Sequence, residues 1–306
     1  MDARSRRSVL ASLSGGTLLG AAGCLGTTDS VSVLSAGSLA VVLDDHVGRR
    51  FEEETGIDYH GEYYGANAVM RMIEDGGKHP DVAVSADEAL LRDRLYGEHT
   101  DWDVAFASNS IGLAYAPDTA FGARLDDGEP WYEVALDAGE GELAISDPDL
   151  DPLGYRAMLA FRLAEAEHDI DGFVDALTDR VYREPEEPQL LAGVDAGNRA
   201  AAVAYRNMAV DHGLPFHEFP AAYDFSNPAY ADRYGSVSYT TDEGYTATGR
   251  PIVYNATVLA DADTPDAGRE FVRFLADSRE LLWEHGLSVD GFPDGHGNVP
   301  DEVIPE

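Results

Sequence analysis

The stretch Val31-Ser32-Val33-Leu34-Ser35-Ala36-Gly37-Ser38-Leu39 decides the fold. A short run rich in β-branched residues stops at a glycine and a serine, and a helical pattern takes over across about 39–54. A strand that feeds a helix through a glycine turn is the first half of a β-α-β unit. The alternation continues outward, with strands expected over 57–64 and 82–84 and helices over 68–74 and 88–96. An extended segment over 104–115 leads to a second unit. It comprises a strand over 143–146, helices over about 152–165, 172–178 and 188–196, a strand over 201–205 and a helix over 208–212. Residues 223–248, rich in Tyr, Asp, Ser and Gly, read as loop and irregular strand. A strand over 252–259 and an amphipathic helix over 265–275, continuing over 279–285, close the chain.

The expected fold class is therefore α/β: two α/β lobes joined by a hinge, with a ligand cleft between them, because open α/β sheets bind ligands beyond the carboxyl ends of their strands. No linker-like stretch separates the units. A chain that leaves the first lobe and later returns to it accounts for that, with residues 31–108 and 256–306 forming lobe I and 109–255 forming lobe II.

Composition narrows the function. The 306 residues carry 57 Asp and Glu against 21 Lys and Arg, a formal net charge of -36, which excludes nucleic-acid and anionic-membrane binding as the main task. Lys78 is the only lysine, and every other basic residue is arginine. Such acidity with almost no lysine is expected of a halophilic protein kept soluble in concentrated salt, where repulsion between carboxylates is screened.

Residues 1–23 read as an export signal of the twin-arginine type, with Arg6 and Arg7 ahead of a weak apolar run too short to span a bilayer. The run ends in Ala21-Ala22-Gly23-Cys24, similar to a lipoprotein cleavage box. Cys24 is the only cysteine, so it has no internal disulfide partner and fits a lipid attachment point. Residues 24–30 would be the anchor and tether of a monomer held at the extracellular face of the membrane.

Enzyme signatures are absent: the sequence has no Gly-x-Ser-x-Gly elbow, no Walker loop, no paired-cysteine metal pattern and no His-Glu-x-x-His. What recurs is a strand entering a helix whose first turn bears a hydroxyl or carboxylate. Ser38 follows the first strand, where it serves either as an N-cap or as part of an anion site at the free amides of a helix start. Ser85, in Ser85-Ala86-Asp87-Glu88, fits a capping box. Asp151 and Glu187 each directly precede a proline, which suits the first helical position and puts both acids at expected caps. If both line the cleft, the pair could bind a cation, shuttle a proton or coordinate a metal centre.

Ala36-Gly37-Ser38-Leu39, Ser85-Ala86-Asp87, Ser108-Asn109-Ser110, the segment from Ser146 through Asp151-Pro152-Leu153-Gly154-Tyr155-Arg156, Tyr205-Arg206-Asn207-Met208-Ala209 and His212-Gly213-Leu214-Pro215 resemble, in that order, the solute-binding proteins of archaeal tungstate and molybdate ABC importers. The resemblance implies a two-lobed type II binding protein that closes on a tetrahedral oxyanion, uses no cofactor and hands its ligand to a membrane permease. It also implies that Asp151 and Glu187 approach the metal of the oxyanion, while Ser38, Ser85 and Tyr205 bind its oxo groups. The chain departs from the family pattern at Gln189, where an acid is usual, and at Asn207, where a serine is usual. Two other readings compete: a receptor for sulfate, phosphate or ferric iron with Asp151 and Glu187 as mere caps, and a secreted metal-dependent hydrolase using them as ligands or as acid and base.

Overall fold

The computed structural model describes residues 30–304. The expected signal over residues 1–23 and the expected lipidation of Cys24 lie outside the described residues. Thirteen strands are described in chain order: β1 (Ser30–Ala36), β2 (Asp58–Tyr64), β3 (Val82–Ser85), β4 (Trp102–Ser108), β5 (Ile111–Tyr115), β6 (Leu143–Ser146), β7 (Tyr182–Glu184), β8 (Ala201–Tyr205), β9 (Phe216–Glu218), β10 (Ser238–Thr240), β11 (Thr246–Thr248), β12 (Val253–Val258) and β13 (Asp294–Gly297). They form a six-stranded sheet of order β13-β4-β12-β3-β1-β2, a five-stranded sheet of order β7-β6-β8-β5-β9, and the β10-β11 hairpin.

Both large sheets are mixed. β1 runs parallel to β2 and β3, while β12 is inserted antiparallel between β3 and β4. In the second sheet β6 lies parallel to β7 and β8, and β5 runs antiparallel to β8 and β9. Runs such as Val33 to Ala36 are buried on both faces because helices cover both sides of the sheet, so they read as continuous rather than alternating apolar stretches. Phe51 and Phe271 meet edge to face at 5.3 Å in the first core. In the second, Trp131 packs among Phe161, Phe173 and Phe219, and its indole N–H donates to the Tyr223 hydroxyl at 2.9 Å.

The chain crosses between sheets at Asn109–Ser110 and returns through residues 219–252. One expected boundary needs correction: the division between Asn255 and Ala256 falls inside β12, all of which belongs to the first sheet. Helices Ala120–Asp126 and Trp131–Asp137 occupy a stretch in which no element is expected from the sequence pattern. The helix expected over 188–196 is instead a 3-10 turn, Glu187–Gln189, followed by one helical turn, Ala192–Asp195. Residues 223–248 contain the β10-β11 hairpin, as irregular strand, but also helical turns at Pro228–Tyr230 and Ala231–Tyr234. Among the described residues no helix is long and apolar enough to cross a membrane.

Candidate functional site

Asp151 takes the place its sequence dictates. It caps the helix Pro152–His168 with extended backbone, Pro152 occupies the first turn, and the Gly154 amide donates to Oδ1 at 2.9 Å. Its other oxygen accepts from the Ser146 hydroxyl at the end of β6. The carboxyl is fully buried, and burial pushes its pKa up to about 7 against the opposing pull of the Ser146 hydroxyl and the Gly154 and Leu153 amides.

Glu187 differs from expectation in position. It is the first residue of the 3-10 turn, the cap place is taken by Glu186, and no side-chain cap forms there. Its carboxyl instead turns inward to Gly37 and Ser38 at the end of β1. A Cβ on Gly37 would come within 3.0 Å of Glu187 Oε2 and 2.7 Å of Pro188 Cδ, so only glycine allows this approach. Glu187 is wholly buried and neither carboxyl oxygen has a hydrogen-bond partner. Burial first and the neighbouring Asp151 charge second push its pKa well above the usual range. The Ser38 and Gly37 amides and the Ser38 hydroxyl lie near enough to pull it down, without reaching hydrogen-bonding geometry. An unpartnered buried carboxyl is expensive, and native folds keep such groups mainly where something else binds.

Ser38 and Tyr205 join this pair. The Tyr254 hydroxyl donates to Ser38 Oγ at 3.4 Å, and the Asn109 amide donates to Tyr254 at 3.1 Å and to Asn207 Oδ1 at 2.8 Å. Asn207, one of the departures noted in the sequence, donates to the Ser38 carbonyl at 2.7 Å and so links the second lobe to the first. Tyr205 is fully buried, stands 5.9 Å from Tyr254 between ring centres, and is close enough to Glu187 and Asp151 for their charges to add to the upward shift that burial gives its pKa. Ser85 is placed differently. Its hydroxyl donates to the Asp87 carbonyl at 2.9 Å and accepts from the Asp87 amide at 3.0 Å, and none of its hydrogen bonds reaches the carboxyl pair.

Three residues were missed as candidates: Tyr155, Arg156 and Tyr254. Arg156 is 2% exposed and donates to the Ala86 carbonyl at 2.8 Å, to Asp87 at 3.0 Å and to the Tyr205 hydroxyl at 2.5 Å. Burial opposes its charge, but Tyr205, Asp87 and Tyr155 together outweigh that and keep it protonated. The signal was available, since an arginine inside the otherwise apolar Leu153 to Phe161 run has to find a buried partner.

The lobes meet closely around this centre. Ala68 N donates to the Leu150 carbonyl at 3.2 Å, and a Cβ on Gly65 would lie 2.4 Å from that same oxygen and 2.7 Å from Asp151 Cβ. Gly65→Ala is therefore expected to keep the fold, since its φ of -56 suits alanine, yet to obstruct closure. Overpacking of this kind costs about 1–3 kcal/mol, or roughly tenfold to a hundredfold in ligand affinity, readable by titration.

Chemically, the arrangement offers two buried carboxyl groups whose pKa values burial raises, hydroxyls from Ser38, Ser146, Tyr205 and Tyr254, and the amides after β1. The chain as a whole is similar to known proteins. An uncharacterized solute-binding protein of Halobacterium salinarum is 48% identical over 98% of this chain and 97% of its own length. The molybdate/tungstate-binding protein WtpA of Pyrococcus abyssi is 28% identical over 92% of this chain and 93% of its own. The periplasmic molybdate-binding protein of Azotobacter vinelandii shares the fold, with a TM-score of 0.60 at 17% identity, over 85% of this chain and 98% of that one. The family profile described as bacterial extracellular solute-binding protein matches residues 31–288, and the chain belongs to that family.

Proposed function

We propose that this protein captures molybdate or tungstate outside the cytoplasm and passes it to a membrane ABC permease, without catalysing a reaction and without a cofactor. The observation that carries this reading is the buried Asp151–Glu187 pair, in which Glu187 has two unpartnered oxygens. A carboxylate beside a dianion repels it strongly in a low-dielectric cavity. It becomes favourable when its oxygen reaches the electron-poor metal and enlarges the coordination sphere. Molybdenum and tungsten accept that enlargement, whereas sulfur and phosphorus in their small oxyanions do not. The Ser38 and Tyr205 hydroxyls and the amides of Gly37 and Ser38 then serve the oxo groups, as helix starts and backbone N–H groups serve anions elsewhere. Ser85 enters this role only on the resemblance, its hydroxyl being engaged within its own turn.

The high acidity of the chain is no obstacle in concentrated salt. At about 1 M the Debye length is about 3 Å, so surface carboxylates do not reach the cleft and local donors decide. Anchoring through Cys24 after twin-arginine export belongs to the same proposal, as does action as a monomer. Titration of the protein with tungstate, molybdate, sulfate and phosphate in high salt tests the reading. Tight binding of the first two with sulfate and phosphate at least a hundredfold weaker is expected, and equal affinity for all four would leave Asp151 as a structural cap and Glu187 with no part in recognising the metal.

A further inference from the structure

Arg156 belongs to lobe II, but two of its three partners belong to lobe I. Its guanidinium donates to the Ala86 carbonyl and to Asp87 Oδ2, which lie in the turn between β3 and the helix Glu88–Leu95. Asp87 is itself fixed, because its other oxygen accepts from the Ala89 and Leu90 amides at 3.0 and 3.3 Å as the cap of that helix. The Tyr155 hydroxyl donates to the same Asp87 Oδ2 at 2.7 Å. All three residues are buried, with Tyr155 at 1%, Arg156 at 2% and Asp87 at 4% exposure. This is a desolvated, charge-assisted junction that exists only while the lobes are together.

The third partner of Arg156 leads to the ligand. Its Nη1 donates to the Tyr205 hydroxyl at 2.5 Å. An oxygen that accepts from a guanidinium keeps its own proton for a different acceptor, and among the described residues no hydrogen bond takes that proton. Tyr205 is wholly buried beside the Asp151–Glu187 pair. We infer that Arg156 is a positioning residue that couples lobe closure to ligand binding: Asp87 of lobe I fixes Arg156, and Arg156 fixes Tyr205 with its hydroxyl proton aimed at an oxo group of the bound anion. The inference rests on the oxyanion reading for the identity of the ligand. It also gives the buried arginine a role other than contacting the anion: Asp87 neutralises its charge, and both terminal nitrogens already donate, Nη1 to the Ala86 carbonyl and the Tyr205 hydroxyl and Nη2 to Asp87.

The experiment combines equilibrium titration with molybdate and small-angle X-ray scattering before and after loading. Arg156→Gln and Asp87→Asn are each expected to weaken binding about tenfold to a hundredfold, since hydrogen bonds to charged groups carry that weight, and to lose the compaction that loading gives the wild type. Tyr205→Phe is expected to weaken binding while keeping compaction. In the Tyr205→Phe background, Arg156→Gln should lower affinity by a clearly smaller factor than in wild type, a non-additivity that general loss of stability does not produce. Wild-type affinity and compaction in folded Arg156→Gln overturn the inference while the ligand reading stands. If Arg156→Gln does not fold, Asp87→Asn with Tyr155→Phe decides, and wild-type affinity and compaction in that double variant overturn it equally. A wild-type protein that binds neither molybdate nor tungstate overturns the ligand reading and this inference with it.

Discussion

Glu187→Gln is expected to weaken molybdate and tungstate binding by about a hundredfold to a thousandfold, the largest single effect on this site. Glutamine has nearly the same volume, so the close approach of Glu187 and Pro188 to Gly37 is retained and closure is not obstructed. What changes is the donor. Removing one partner of a buried charged interaction costs about 3–5 kcal/mol, and each 1.4 kcal/mol is a decade of affinity. Glutamine also separates two mechanisms that alanine would confuse. Its amide N–H can donate to an oxo group as a protonated carboxyl would, but it cannot replace a carboxylate oxygen on the metal. Calorimetric titration of the variant in high salt therefore gives a clear reading. Wild-type affinity means that Glu187 acts as a hydrogen-bond donor and the coordination claim is wrong; loss of binding in a variant that still folds supports metal contact, because the amide can donate to an oxo group but cannot supply a carboxylate oxygen.

Much of this architecture was legible because local signals and tertiary demands agree. Asp151 was readable as a cap since aspartate before proline suits the entrance of a helix, and the 17-residue helix behind it is apolar enough to lie in the core. β6 and β8 were readable as uninterrupted apolar runs. The failures have particular causes. Glu187-Pro188 carries the same local signal as Asp151-Pro152, but the expected helix breaks after Gln189, and the glutamate faces the first lobe instead of its own amides. Residues 116–142 gave no element because their two helices are only seven residues each, too short to establish a 3.6-residue period. The inter-lobe contacts could not be read at all. That Arg156 meets Asp87, or that Asn207 meets Ser38, depends on two segments far apart in sequence whose juxtaposition only the folded chain defines.

Loading the site is expected to release protons, and affinity is expected to rise with pH between about 6 and 8. With the lobes together, burial holds Asp151 up to about 7, and burial first and the Asp151 charge second hold Glu187 well above the usual carboxylate range. In the unfolded chain such groups ionise near 4, so over the interval from about 4 to 7 the folded protein binds more protons than the unfolded one. Stability of the ligand-free protein contributed by Asp151 therefore falls as pH rises through that interval, the reverse of the usual salt-bridged carboxylate. Asp151→Asn should flatten this slope and make the ligand-free protein more stable than wild type at pH 8, a difference measurable by thermal unfolding across pH. For binding, a carboxyl oxygen that bonds the metal has to give up its proton first. Each proton displaced adds up to a tenfold gain in affinity per pH unit below the pKa of the group that loses it. Calorimetry in buffers of different ionisation enthalpy counts these protons directly. A net release that disappears in Asp151→Asn and Glu187→Gln is the expected outcome. Proton uptake on binding, with affinity falling towards pH 8, would instead identify both acids as neutral donors to the oxo groups and remove the basis for discrimination against sulfate.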